Sequence, residues 1–354
     1  MQTHIQNFFY FFHKFLFKNK LIIGILFFTA VYHPLVAQEI NYQLSDDSVF
    51  IKPDYRNHLN IPEYNPALMP LDRQTKSTGV WTELNPKVPR VDYLGIHFVN
   101  KNTGWAVGAN GTIIKTTNGG SSWTNSFSNT TTPILKIRSN NGQIVIASGF
   151  GGMILRSTDG GDTFTQVISN VTGDLWGLQM LNDTLGWACG ISNSLTKTTD
   201  GGQTWQRILT PGYTSSYWWI DFLNENYGFI AADGKVLRTV DGGNNWEIIQ
   251  AGDAYPLFCI DVIDSLHIAA AGYGGTSYRG KNIYSSDGGN TWINGGPLTF
   301  EAVNDIKYVN PDTGYVVMTN VIAKKTTNRG QEWIGIATGG EYEMQFFEED
   351  NIGY

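Results

Sequence analysis

Gly104–Trp123 reads GWAVGANGTIIKTTNGGSSW, and this stretch decides the fold. Gly104–Gly108 and Thr112–Lys115 are short runs of strand-forming residues joined by a turn tripeptide, Ala-Asn-Gly. The last eight residues, Thr116–Trp123, recur as Ser157–Phe164 (STDGGDTF), Thr198–Trp205 (TTDGGQTW), Thr239–Trp246 (TVDGGNNW), Ser285–Trp292 (SSDGGNTW) and Thr326–Trp333 (TTNRGQEW). The closing aromatics lie 41, 41, 41, 46 and 41 residues apart. Self-similarity at a fixed period of this length marks a repeat architecture.

Each octet has a local logic. Asn118, Asp159, Asp200, Asp241, Asp287 and Asn328 can accept hydrogen bonds from nearby backbone N–H groups and so form Asx-type turns. Glycine follows in five of the six octets, and a second glycine in all six, which supplies the positive φ a sharp hairpin needs. The aromatic then opens the next strand and buries a large ring between sheets. In the first repeat Leu94–Val99, Gly104–Gly108 and Thr112–Lys115 precede the hairpin as strands, and Ser122–Phe127 follows it. Four strands per repeat without a helical period make a propeller blade. The rungs of a parallel β-helix are shorter and would not carry one hairpin at this spacing.

The expected architecture is therefore an all-β propeller of four-stranded blades, starting near residues 91, 133, 173, 213, 254 and 301. Trp81 lies 42 residues before Trp123, so Gly79–Leu84 reads as the outer strand of an earlier blade. Glu341–Tyr354 repeats only a first strand and the opening of a second, with Gly353-Tyr354 matching Gly104-Trp105. These two ends predict a seven-bladed propeller over residues 79–354, its last blade composite and incomplete in a sequence that stops mid-blade. Residues 38–78 carry no motif and read as a proline-containing lead-in.

The combined pattern, Gly-Trp-Ala-Val-Gly, then Gly-x-Ile, then Thr-x-Asn-Gly-Gly-x-x-Trp, resembles the photosystem II stability/assembly factor-like propellers, a family within the Asp-box (BNR) repeats. The resemblance covers about residues 79–354. It implies a non-enzymatic, exported propeller that holds a protein, as the photosynthetic members do in assembling a membrane complex. Asp-box turns also occur in sialidases, sortilin-like receptors and some glucanases, so a glycan-binding propeller or a sialidase-like glycoside hydrolase is the alternative. Sialidases need an arginine cluster and a tyrosine–glutamate pair. Here Arg156 and Arg238 share one repeat position with Lys115, Lys197 and Lys325, which reads as a solvated strand edge.

Composition narrows the classes further. The 354 residues include 40 glycines and 11 tryptophans with 16% charged residues, a balance suited to short strands and tight turns and opposite to disorder. Lys14, Lys18 and Lys20 precede the apolar run Leu21–Val31, and Leu35-Val36-Ala37 follows, so residues 1–37 read as a secretory signal. An export route to the periplasm, the cell surface or the medium follows, with no membrane span once the signal is cleaved. Without those residues 21 basic stand against 31 acidic side chains, a net charge of −10 that offers little to nucleic-acid phosphates. Cys189 and Cys259 fall in apolar strands of different repeats and read as small core residues, not a disulfide. A monomer is expected.

Motifs for chemistry are few. His58, His97 and His267 lack metal-ligand spacing, so no metal or other cofactor is expected. Gly149–Gly152 (GFGG) is followed by a strand pattern and not by the helix a phosphate loop requires. One polar residue recurs in otherwise apolar first strands: His97, Arg138, Gln179, Asp221, Asp261, Lys307 and Gln345. This tier is expected to face a central channel, where Asp221 and Asp261 on neighbouring blades could act as a glycosidase pair or simply line a wet channel of mixed charge.

The remaining candidate is a surface. The loop into a blade's first strand and the loop between its second and third strands share one face, and the Asp boxes fall on the other. The lone length change, five residues in blade five, lies in a second-to-third-strand loop, Tyr273–Asn282 (YGGTSYRGKN). Tyr217, Trp218, Trp219, Tyr255, Tyr273, Tyr278, Arg279 and Lys281 are therefore expected to meet on adjacent blades as a patch for a protein partner or a surface glycan. For Trp218 or Trp219 taken singly, packing between blades is the competing reading.

Overall fold

The computed structural model divides the chain into two compact units, Met1–Thr82 and Glu83–Tyr354. The described residues are 91–250, 256–274, 279–298, 302–318, 322–338, 346–347 and 352–353. The signal segment, the lead-in, Gly79–Leu84, Tyr255, Tyr278 and Gln345 lie outside them. Among the described residues no helix is long and apolar enough to cross a membrane.

The second unit is a β-propeller of four-stranded antiparallel blades. Blade one is Tyr93–Phe98, Gly104–Gly108, Ile113–Thr116 and Thr124–Asn125, paired in that order. Blades two to six repeat the order, with first strands Ile134–Arg138, Leu175–Met180, Tyr217–Phe222, Leu257–Val262 and Val303–Tyr308. Each first strand packs against the first strand of the next blade. Among the described residues six sheets thus have four strands. A further ribbon pairs Phe346–Phe347 with Ile352–Gly353, so where seven blades were expected the described residues complete six.

The core lies between blades. Ile134, Ile137, Val145 and Ala147 of blade two close over Trp105 and Val107 of blade one, and the same layer recurs at the later seams. The box aromatics serve this layer unequally: Phe164 and Trp205 are buried, whereas Trp123, Trp246, Trp292 and Trp333 are half-buried. Cys189 and Cys259 are buried free thiols, as the sequence suggested.

The six octets behave alike. The box Asp or Asn accepts the backbone N–H four residues on at 2.8–3.0 Å in every blade. The hydroxyl of the first octet residue donates to the same carboxylate or amide oxygen and accepts the N–H of the second glycine. In each blade the fourth octet residue donates its N–H to a carbonyl of that blade's first-to-second-strand loop, such as Gly119 to Asn102 at 2.8 Å. The boxes therefore share a face with those loops, opposite the loops that lead into the first strands. Arg329 holds the left-handed position at φ 60° where the other boxes have glycine, and its guanidinium is tied to Asp312 at 2.7 Å.

The third-strand cations do not form a solvated edge, which corrects the sequence reading. Arg156, Lys197 and Arg238 each reach the next blade's box and donate to the carbonyls of Gly201, Gly242 and Gly288 at 2.7–2.8 Å. Lys115 pairs instead with Asp162 of the next box at 2.8 Å. These side chains clip one blade to its neighbour.

Candidate functional site

The tier of polar residues on the first strands also joins blades. His97 Nε2 lies 2.7 Å from the Ser139 carbonyl. Gln179 accepts the Phe222 N–H at 2.7 Å and donates to its carbonyl at 3.1 Å. Asp221 accepts the Val262 N–H at 2.8 Å, and Asp261 that of Tyr308 at 2.7 Å. Each link ends on the residue that follows the next blade's tier position. At the seam between blades two and three Asn140 does this work, donating to the Met180 carbonyl at 3.0 Å. Arg138, which holds the tier position there, donates to its own blade's Ile137 carbonyl and lies with its guanidinium 6.0 Å from the Trp219 ring centre.

This accounting bears on the carboxylate pair. Asp221 takes a hydrogen bond from Gln179 Nε2 on one oxygen at 2.7 Å and from Val262 on the other. Asp261 is paired through one oxygen with Lys307 and through the other with Tyr308. All four oxygens are thus engaged in holding blades together. Burial pushes the Asp221 carboxyl up to about 6, against the pull of the Lys307 ammonium, with Asp261 adding to the rise. Lys307 is raised by Asp261 and Asp221 despite its own desolvation.

A feature that sequence reading missed sits three residues before the tier. Every described first strand carries a β-bulge at this position: Leu94, Leu135, Trp176, Trp218, Phe258 and Asn304 have no partner residue opposite them. A bulge adds one residue and changes the phase of alternation. Tyr217 and Ile220 consequently both enter the core between blades three and four, while Trp219 packs against the core between blades four and five. Tyr217, expected on the surface, is fully buried, its hydroxyl bonded to Asn193 and Thr210; this corrects its assignment to the patch.

The bulged residue is aromatic in blades three, four and five. Trp176 and Trp218 lie 6.2 Å apart with planes inclined at 56°, and Trp218 meets Phe258 edge-on at 5.3 Å. Phe150, in the second-to-third-strand loop of blade two, adds a fourth ring 6.1 Å from Trp176. Trp218 is 6% exposed and donates its indole N–H to Asp233 at 2.7 Å, while Phe150, Trp176 and Phe258 are half-buried. One residue further along, Trp219 lies under the Lys136 ammonium at 4.3 Å. Lys136 and Trp219 belong to blades two and four, and Gly177 of blade three leaves the room between them: a Cβ there would fall 3.1 Å from the Trp219 Cα.

Of the expected patch, the described residues are divided between two adjacent blades. Trp218 and Trp219 stand on blade four as described, and Tyr273 and Lys281 on the paired hairpin of blade five. The five extra residues lengthen that hairpin: Ile268–Gly274 pairs with Arg279–Ser285 up to Gly274↔Arg279, beyond the point where the corresponding strands of other blades end. Tyr273 N–H donates to the Pro256 carbonyl, which fixes the arm on the face opposite the boxes.

A family model described as photosynthesis system II assembly factor YCF48 matches residues 73–173, the region holding the first two octets. Over these residues the chain is similar to the photosystem II assembly factor-like Asp-box propellers. No curated protein matches the chain. Among solved structures it is similar to YCF48 from Cyanidioschyzon merolae, with TM-score 0.61 and 16% identity over 74% of this chain and 92% of that one. A structure of YCF48 bound to D1 peptide gives TM-score 0.59 and 17% identity over 73% and 88%. An ancestral GH74 enzyme gives TM-score 0.55 and 13% identity over 70% of this chain and 38% of its own. At these identities the structural likeness speaks for the fold.

Proposed function

We propose that this Asp-box propeller is an exported, non-catalytic scaffold that holds a protein partner on the face opposite its boxes. The observation that carries the reading is the arm of blade five, a folded extension of the β-ladder on that face, beside three consecutive blades whose bulges present aromatic rings. A solved YCF48 propeller with a bound D1 peptide supports a peptide or protein as the class of ligand. The engagement of all four Asp221 and Asp261 oxygens between blades supports a structural role for the pair. Export rests on the signal-like residues 1–37, and the seven-bladed reading on the blade-like sequences of Gly79–Leu84 and Glu341–Tyr354. The protein acts as a monomer.

Shortening Tyr273–Asn282 to the length of Gly108–Thr112 tests the reading, because blade one makes the same connection with fewer residues. The variant should fold with unchanged melting and lose more than about tenfold in affinity for the partner isolated with the wild type, equivalent to ~1.4 kcal/mol. A folded variant with full affinity would remove the arm from the site.

A further inference from the structure

Resting on that scaffold reading, we infer that the aromatic arc Phe150–Trp176–Trp218–Phe258 grips an extended segment of the partner protein that carries basic side chains. Three of its rings are a consequence of the bulge, which turns one residue per blade out of the alternation toward the same face, and Phe150 joins them from the second-to-third-strand loop of blade two. Trp218 serves as the keystone. Nearly buried and anchored to Asp233, it supports Trp176 on one side and Phe258 on the other, both of which remain half-exposed.

The ring geometry selects among ligands. A sugar chain stacks its flat faces on rings that lie side by side in one plane. Here successive planes are inclined by 52°, 56° and 81°, which makes notches between rings instead of a platform. Notches of this kind accept a side chain with an aliphatic stem, and ring faces attract a cationic head. The surrounding charge agrees. Among the described residues, the loops of blades one to four on this face carry Asp92, Asp174 and Asp233, with no lysine or arginine. Lys235, at the start of a blade-four strand, is hydrogen-bonded to Gln250, Lys136 is buried against the Trp219 ring, and Lys281 stands on the arm of blade five. Asp174 is fixed beside the arc by the Gly151 N–H at 2.8 Å, so a carboxylate flanks the Phe150–Trp176 notch. The chain as a whole is acidic, with net charge −7.

Two synthetic peptides, repeats of Lys-Pro-Phe and of Glu-Pro-Phe, probe this directly, since proline keeps both extended. Chitohexaose serves as the sugar probe. Titration into the full chain, followed by tryptophan fluorescence and calorimetry, should show binding of the lysine peptide alone, weakened by salt. Trp176→Ala and Phe258→Ala should each reduce that affinity by about tenfold with melting little changed, whereas Trp218→Ala lowers melting as well. Equal binding of the glutamate peptide, binding of chitohexaose in place of the lysine peptide, no binding of any probe, or full affinity in Trp176→Ala would each overturn the assignment. The two readings separate on the partner isolated with the wild type. If Trp176→Ala keeps it and the arm-shortened variant loses it, the scaffold stands and the arc falls; if the wild type holds no partner, both fall.

Discussion

Asp221 and Val262 join blades four and five through a hydrogen bond of 2.8 Å from the Val262 N–H to a carboxylate oxygen. The link is repeated in kind at each seam, by His97, Asn140, Gln179 and Asp261. Asp221 is the member whose proton affinity is raised, to about 6. A carboxyl whose folded pKa lies above its unfolded value favours the folded state in its protonated form. Its contribution is complete below about 4 and is lost as the pH rises through about 6. Relative to Asp221→Asn, the wild type should therefore lose stability between pH 4.5 and 7.5, on the order of 1–3 kcal/mol. Urea unfolding of both proteins across this range measures it, and parallel pH curves would contradict it.

The Asp boxes respond in the opposite sense. Hydrogen bonds from the Thr291 hydroxyl and backbone N–H, and then from Ser285, hold the Asp287 carboxyl down at about 2, and Asp159, Asp200 and Asp241 are lowered as well. Groups with depressed folded pKa values give stability that is present above about 4 and is lost as the pH falls through the folded values. Acid unfolding followed by circular dichroism should set in between pH 4 and 2, and a box Asp→Asn variant should have a shallower acid limb. An unchanged acid limb in several such variants would count against the box carboxylates as its source.

Asp200→Ala should cost about 1–2 kcal/mol, because Thr204 N, Thr204 Oγ1 and Thr198 Oγ1 lose their acceptor. Asp200→Asn should cost less, since Asn118 and Asn328 already make the same backbone contact in blades one and six. Partner binding should be unaffected by either change. Unchanged melting with abolished binding would mean that the box is a contact site.

Gly177→Ala should destabilise by about 1–3 kcal/mol through overpacking, as its Cβ would lie 2.6 Å from Cys189 Sγ. It should also shift tryptophan emission, because Trp219 and its Lys136 partner sit against this position. Wild-type melting with unaltered emission would show that the gap is not needed.

The repeat, the blade and the face assignment were legible in the sequence because the octet is a local signal and its spacing is regular. The tier from His97 onward was legible as a register, although its role as a seam was not, since each partner atom belongs to another repeat about 40 residues away. The bulge left no mark on the spacing: every first strand carries it, so the 41-residue period is preserved. Tyr217 was placed outside for that reason, and Phe150, Trp176, Phe258 and Lys136 were passed over. Aligning Trp176 with Trp218, 42 residues on, would have pointed to the arc. The third-strand cations were misread because solvation and a clip to the next blade leave the same sequence pattern.

The most direct measurement is site-specific photocrosslinking in the native host, with benzoyl-phenylalanine at Thr214, exposed in the loop leading into blade four, or at Asn244, exposed in the box of the same blade. The scaffold account predicts a discrete protein adduct from Thr214 and none from Asn244. An adduct from Asn244 with none from Thr214, or no protein adduct from either position, would contradict it.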